Sequence, residues 1–278
     1  MTALTVQSLA IAAAVGFLSG MHAAIWGMYK DAIHEGFTTS RFARSVVLGA
    51  VLGMALHAAL RLPLPSAAGM AVLFGLAYAA ERGIVEVWKT FVRDESQAKY
   101  FIPMQFSVGG EPVASRAARL AAGAAYVVIV AGCLLLIAQL DLDPSAHIVP
   151  GRVALVALGV GSIIAVGGAW KDAPKEGFDL LKFFRSPFMT VVFALLLSRL
   201  TDSYLYATVG AIGYERAAAE TYKTFFFPSR PRGKFAGKPI LYPHMLERRR
   251  YFVPAYVAIC AAVLAVGVVA LADVGVGP

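Results

Sequence analysis

The chain has 278 residues, 59% of them hydrophobic and 15% charged, with a mean hydropathy of +0.68. No soluble core of this size hides so much apolar surface, so composition excludes an ordinary globular domain and calls for a bilayer. The formal net charge of +8 flanks apolar runs throughout instead of forming one basic block, which argues against nucleic acid as a partner.

The N-terminal run MTALTVQSLAIAAAVGFLSG lacks the basic region that opens a cleaved signal peptide, so it is expected to persist as the first spanning helix. Apolar segments follow one another at roughly 7–28, 45–61, 67–90, 117–139, 152–170, 187–199, 203–226 and 251–272. A span needs about 20 residues. The sixth segment, PFMTVVFALLLS, is too short alone, and its helix is expected to begin near Asp179. Cys133 and Cys260 both lie inside apolar runs and read as small core residues, not as a disulfide or metal pair. The five histidines have no spacing that suggests zinc or di-iron.

Two stretches of this chain occur twice. GMYKDAIHEGFTTSRFARS (27–45) returns as GAWKDAPKEGFDLLKFFRS (168–186) at an offset of 141, with ten of nineteen positions identical. ERGIVEVWKTF (81–91) returns as ERAAAETYKTF (215–225) at an offset of 134, with six of eleven identical. The change of offset places a seven-residue deletion in the sixth segment. The expected fold is therefore an all-α integral membrane protein with eight transmembrane helices. It forms two parallel four-helix repeats, 1–140 and 152–278, joined by an extracytoplasmic linker at 141–151. An even number of helices per repeat makes the repeats parallel, related by a pseudo-two-fold axis along the membrane normal.

Lysine and arginine cluster after segments 1, 3, 5 and 7, at Lys30, Arg41, Arg44, Arg93, Lys171, Lys182, Arg185, Arg230, Arg232 and the triplet Arg248–Arg250 among others. The other side holds Arg61, Arg152 and Arg199 beside Asp141, Asp143, Asp202 and Asp273. The positive-inside rule makes the basic side cytoplasmic and puts both termini outside, in a multi-pass protein of the plasma or inner membrane. Loops 92–116 and 226–250 then face anionic headgroups of the bilayer.

Two constellations are candidates for chemistry. The first is the motif Lys30, Asp31, Glu35 and Arg44 with its copy Lys171, Asp172, Glu176 and Arg185. Its carboxylates are spaced i,i+4 on one helix face. They would serve either as ion-paired helix ends (Lys30 with Asp31 or Glu35) or as ligands for a divalent cation held by Asp31, Glu35, Asp172 and Glu176. The second is a ladder deeper in the bilayer: Glu81, Arg82, Glu86 and Lys89, repeated as Glu215, Arg216, Glu220 and Lys223. Each charge costs at least about 2.5–3.5 kcal/mol at the bilayer centre, so the ladder should face an interior. It reads as a substrate- or ion-binding lining, set against a self-neutralising ladder that only pins packing. A transporter or channel with its site between the duplicated halves fits best. A membrane-embedded enzyme acting on a lipid-linked phosphate or diphosphate with a divalent cation is second, and an assembly subunit, as a homo-oligomer or in a membrane complex, is third.

Overall fold

The computed structural model describes residues 4–142, 148–227 and 233–275. Arg230, Arg232 and Asp143 of the expected charge pattern lie outside these. Among the described residues the fold is all-helical apart from a two-residue antiparallel pairing of 107–108 with 111–112. The principal helices are α1 (Val6–Glu35), α2 (Thr39–Leu60), α3 (Ala67–Val87), α4 (Arg116–Gln139), α5 (Pro150–Glu176), α6 (Leu180–Leu197), α7 (Tyr204–Thr221), the short α8 (His244–Arg248) and α9 (Phe252–Gly275). Wide π turns extend α3 through Trp88–Val92 and α7 through Tyr222–Phe226.

Among the described residues seven helical stretches are long and apolar enough to cross a membrane: Val6–Glu35, Thr39–Leu60, Ala67–Val92, Arg116–Leu142, Pro150–Glu176, Leu180–Leu197 and His244–Gly275. These are the features of a multi-pass membrane protein. The segment expected at 203–226 does form a helix, α7, but it falls outside that set. Its sequence carries Glu215, Arg216 and Glu220 within 18 residues, and Glu215 and Glu220 are buried. A helix enclosed by its neighbours does not have to be apolar all round.

Local sequence sets the helix ends. Thr5 and Ser8 form a reciprocal capping box, and Ser66, Ser115, Asp179 and Ser203 each accept a backbone N–H of the following turn, satisfying donors that would otherwise be orphaned. Helix α6 thus begins just after Asp179, as expected from the shortness of the sixth segment. Gly36 (φ 72°) and Gly177 (φ 81°) end α1 and α5 in a backbone region that favours glycine. Asp141, placed by the sequence in a linker, caps α7: it accepts from Ser203 Oγ and Tyr204 N, both at 2.7 Å.

Small residues decide which helices touch. On α1, Gly16 and Gly20 meet the backbone of α2 at Gly49, Gly53 and Ser45. The α5–α6 seam is built from Ala157, Gly161 and Ala165 against Ser186, Thr190 and Ala194, with Gly161 directly against Pro187. The centre of the bundle is the α3–α7 crossing, where Gly75 packs on Gly210 and Gly213. There the Tyr214 hydroxyl donates to Ala71 O across the seam at 2.9 Å. Such contacts replace the hydrophobic effect as the cohesive force between helices in lipid. A Cβ at Gly213 would collide with the Gly75 carbonyl, whereas one at Gly27 meets nothing within 4 Å. Gly213→Ala is therefore expected to destabilise by about 1–3 kcal/mol, and Gly27→Ala to leave the melting temperature in detergent at or above that of the parent.

The seven missing residues are not confined to the sixth segment. Helix α6 has 18 residues against 22 in α2, and α7 has 18 against 21 in α3. The loss is divided between the end of α6 and the start of α7, away from the motifs.

Candidate charged junction

Both candidate constellations gather at one end of the bundle, where α1, α3, α5 and α7 end. The motif carboxylates are neutralised there, though not by the partners expected. Asp31 pairs with Lys234 at 2.8 Å, and Glu35 with Arg41 at 2.7 Å and Lys99 at 3.3 Å. The Tyr100 hydroxyl donates to Glu35 at 3.2 Å and to Glu95 at 2.8 Å. In the second copy, Lys182 bridges Asp172 at 3.0 Å and Glu176 at 2.7 Å. Arg41 and Lys182 occupy matching places at the offset of 141, so a cation one turn into the next helix closes each copy. This role went unread in the sequence because the two residues are not identical.

The loops cross over to reach these sites. The segment after Gly233 covers the end of α1: Leu241 and Tyr242 donate backbone N–H groups to Ile33 O, and His34 bonds Pro239 O and stacks on Phe235. The loop between α3 and α4 covers the end of α5: Trp170 Nε1 donates to Ser107 O at 2.9 Å, and Lys175 pairs with Glu111 at 2.9 Å. In that loop burial acts to raise the Glu95 carboxyl. The Tyr100 hydroxyl, Lys99 and Arg93 outweigh it and hold Glu95 below its ordinary range. Burial, and next the bond to Glu95, push the Tyr100 phenol upward, so it stays a donor.

Lys30, expected to serve its own motif, instead points to Glu220 on α7 at 3.7 Å. Glu220 is 2% exposed and is also approached by Arg216 at 3.2 Å and Lys223 at 3.5 Å. These are long pairs, and Glu220 Oε2 has no hydrogen bond among the described residues. On α3, Glu86 pairs with Lys89 at 3.5 Å, is 38% exposed, and lies close enough to Lys171 and Arg216 to feel their charge. Among the described residues Lys89 pairs with Glu86 while Lys30, Arg216 and Lys223 gather on Glu220, so cations outnumber these two carboxylates.

One turn deeper the copies diverge. Glu81, 1% exposed, pairs with the adjacent Arg82, which also donates to Ser45 Oγ at 3.3 Å and lies over the Trp26 ring. Glu215, 2% exposed, instead accepts from the Ser186 hydroxyl at 2.7 Å, while Arg216 turns to Glu220. Ser45 and Ser186 close the two copies of the first motif, so that motif and the ladder are in contact in each copy. Below them Trp26 Nε1 donates to the Tyr78 hydroxyl at 2.9 Å, which sits 3.1 Å from His22 Nδ1. None of these three was selected from the sequence, because a lone aromatic or histidine on a spanning helix carries no pattern.

Two arginines stand apart. Arg44 rests over the Trp88 ring, and Arg185 forms no ion pair among the described residues; the Nε atoms of both are buried without a hydrogen bond. Among the described residues, no three histidine, cysteine, aspartate or glutamate side chains converge as metal ligands would. The Asp31, Glu35, Asp172 and Glu176 set is engaged by lysine and arginine instead. Searches against protein-family models, curated proteins and solved structures found no match to this chain.

Proposed function

We propose that this protein is a membrane transporter of eight spans in two parallel four-helix halves. In this reading it passes an anion through the charged junction of α1, α3, α5 and α7 near the cytoplasmic face. The observation that carries the reading is the crossed partnership at the junction. Lys30 of the first half reaches Glu220 of the second at 3.7 Å. Pairs that span two halves are made and broken when the halves move against each other, which alternating access requires. The excess of cations around Glu86 and Glu220 selects an anion. Long pairs leave room for it to displace a carboxylate. When the anion departs, the carboxylates again neutralise the lysines and the empty site can return.

The contact pattern supports two equivalent halves as well. Helix α1 neighbours α2 and α5 neighbours α6, α2 meets α3 and α6 meets α7, and the axis would pass between α3 and α7, which pack on each other. The tight Gly75–Gly213 crossing favours a transporter over an open channel. The lipid-phosphate enzyme has less support, since the carboxylates that would hold a divalent cation are bound to Lys234, Lys99, Arg41 and Lys182.

Proteoliposomes loaded with one labelled anion at a time (sulfate, phosphate, a short dicarboxylate) test this reading. Glu86→Gln is expected to lower the KM for the accepted anion and to reduce Vmax by about tenfold, equivalent to about 1.4 kcal/mol. The variant holds the anion but lacks the counter-charge that releases it. Absence of uptake for every anion, in protein that melts normally, would remove the transport reading.

A further inference from the structure

The α5–α6 pair differs from α1–α2 in a way that opens a site. Gly16, Gly49 and Gly53, which let α1 and α2 close to backbone contact, are answered at the offset of 141 by Ala157, Thr190 and Ala194. Pro187 and Thr190 sit against Gly161 where α5 and α6 cross. Along this seam runs an apolar groove of about 500 Å³, lined by Leu155, Leu158, Phe184, Phe188 and Val191 among others. Beside it, toward the motif end, lies a smaller cleft of about 90 Å³ whose charged and polar lining is Asp172, Asp179, Lys182, Arg185, Ser186, Arg216 and Lys223.

The groove and the cleft are lined by the same two helices. Gly151 and Ala154 line the groove and Ala169 and Asp172 the cleft. Each pair is 18 residues apart, five full turns, so both cavities lie along one stripe of α5. On α6 the consecutive residues Phe184 and Arg185 belong one to each cavity.

The charges in the cleft are unbalanced. Asp172 is taken by Lys182, and Ser186 is taken by Glu215. Among the described residues Arg185 keeps a buried Nε with no hydrogen-bond partner, next to Arg216 and Lys223, which pair with Glu220. In the first half the corresponding place is closed: Lys234 sits on Asp31 and Glu35, and the Tyr242 ring packs against Gly36. Guanidinium groups beside an apolar trough match a phosphate attached to a hydrocarbon chain.

We propose that the α5–α6 face binds one membrane lipid with a phosphate headgroup. The phosphate sits in the cleft at Arg185, and an acyl chain lies in the groove along Leu155, Leu158, Phe184 and Phe188. The site shares Arg216 and Lys223 with the junction, so the inference rests on reading that junction as anion-selective.

The test uses the full-length protein in neutral detergent micelles, with lipid retention read by native mass spectrometry. Phosphatidic acid and phosphatidylcholine of identical chains are the probes. The wild-type protein is expected to retain one phosphatidic acid in preference to phosphatidylcholine by at least about tenfold. Arg185→Gln should abolish that preference, while Arg199→Gln, at the far end of α6, should keep it at the same melting temperature. Ala154→Trp, which fills the groove, should weaken phosphatidic acid binding as strongly. Millimolar inorganic phosphate should leave the lipid bound. Equal retention of the two lipids, an unchanged preference in folded Arg185→Gln, or full displacement by inorganic phosphate would each overturn the proposal. Selective retention without anion uptake would leave the lipid site standing and remove the transport reading. Uptake without selective retention would do the reverse.

Discussion

Glu220→Gln is expected to cost about 3–5 kcal/mol of stability, the penalty for removing one partner of a buried ion pair. Glu220 is 2% exposed, and Lys30, Arg216 and Lys223 all lie within 3.7 Å of its carboxylate. Without that carboxylate several cations face one another in a low-dielectric interior, and an amide offers them no counter-charge. Its counterpart should behave differently. Glu86 is 38% exposed and, among the described residues, closely paired only with Lys89, and exposed pairs contribute about 0–1 kcal/mol. A detergent thermal melt of the two variants side by side checks this. A Glu220→Gln protein as stable as Glu86→Gln would mean that the cations around Glu220 are already solvated.

The second large effect is expected at Glu81. Its carboxylate is 1% exposed and pairs with the neighbouring Arg82, so Glu81→Gln should also cost about 3–5 kcal/mol. The double change Glu81→Gln with Arg82→Gln removes the stranded cation and should recover most of the loss. Recovery will be incomplete, because Arg82 also bonds Ser45 and lies over Trp26. In the second copy Glu215→Gln should cost less. There the partner is the Ser186 hydroxyl, which can donate to an amide oxygen as well as to a carboxylate. Chemical or thermal unfolding of the three variants measures the difference. A double variant less stable than Glu81→Gln alone would show that Arg82 is held by Ser45 and Trp26 more than by Glu81.

What the sequence made legible is local. The start of α6 after Asp179, the turns at Gly36 and Gly177 and the i,i+3 pair of Glu86 with Lys89 all follow from neighbours within one helix or one turn. Partners distant in the chain were not legible. Lys30 was expected to serve Asp31 or Glu35, but its contact is with Glu220, 190 residues away. Lys234, which holds Asp31, comes from a loop whose prolines and aromatics read only as an interfacial segment. The duplication also suggested identical sites. The structure gives Glu81 an arginine and Glu215 a serine, since each carboxylate takes whichever donor the local packing brings nearest. The low apolarity of α7 follows from enclosure, which a hydropathy profile does not record.

The central claim is that Glu86 and Glu220 bound a site that an anion enters and leaves. Its most direct test is anion uptake by proteoliposomes made with wild type and with Glu86→Gln, each normalised to the amount of protein that melts at the wild-type temperature. Equal amounts of folded protein, a lower KM and about tenfold slower turnover are expected in Glu86→Gln. Folded Glu86→Gln protein that carries the anion at the wild-type rate and KM would contradict it.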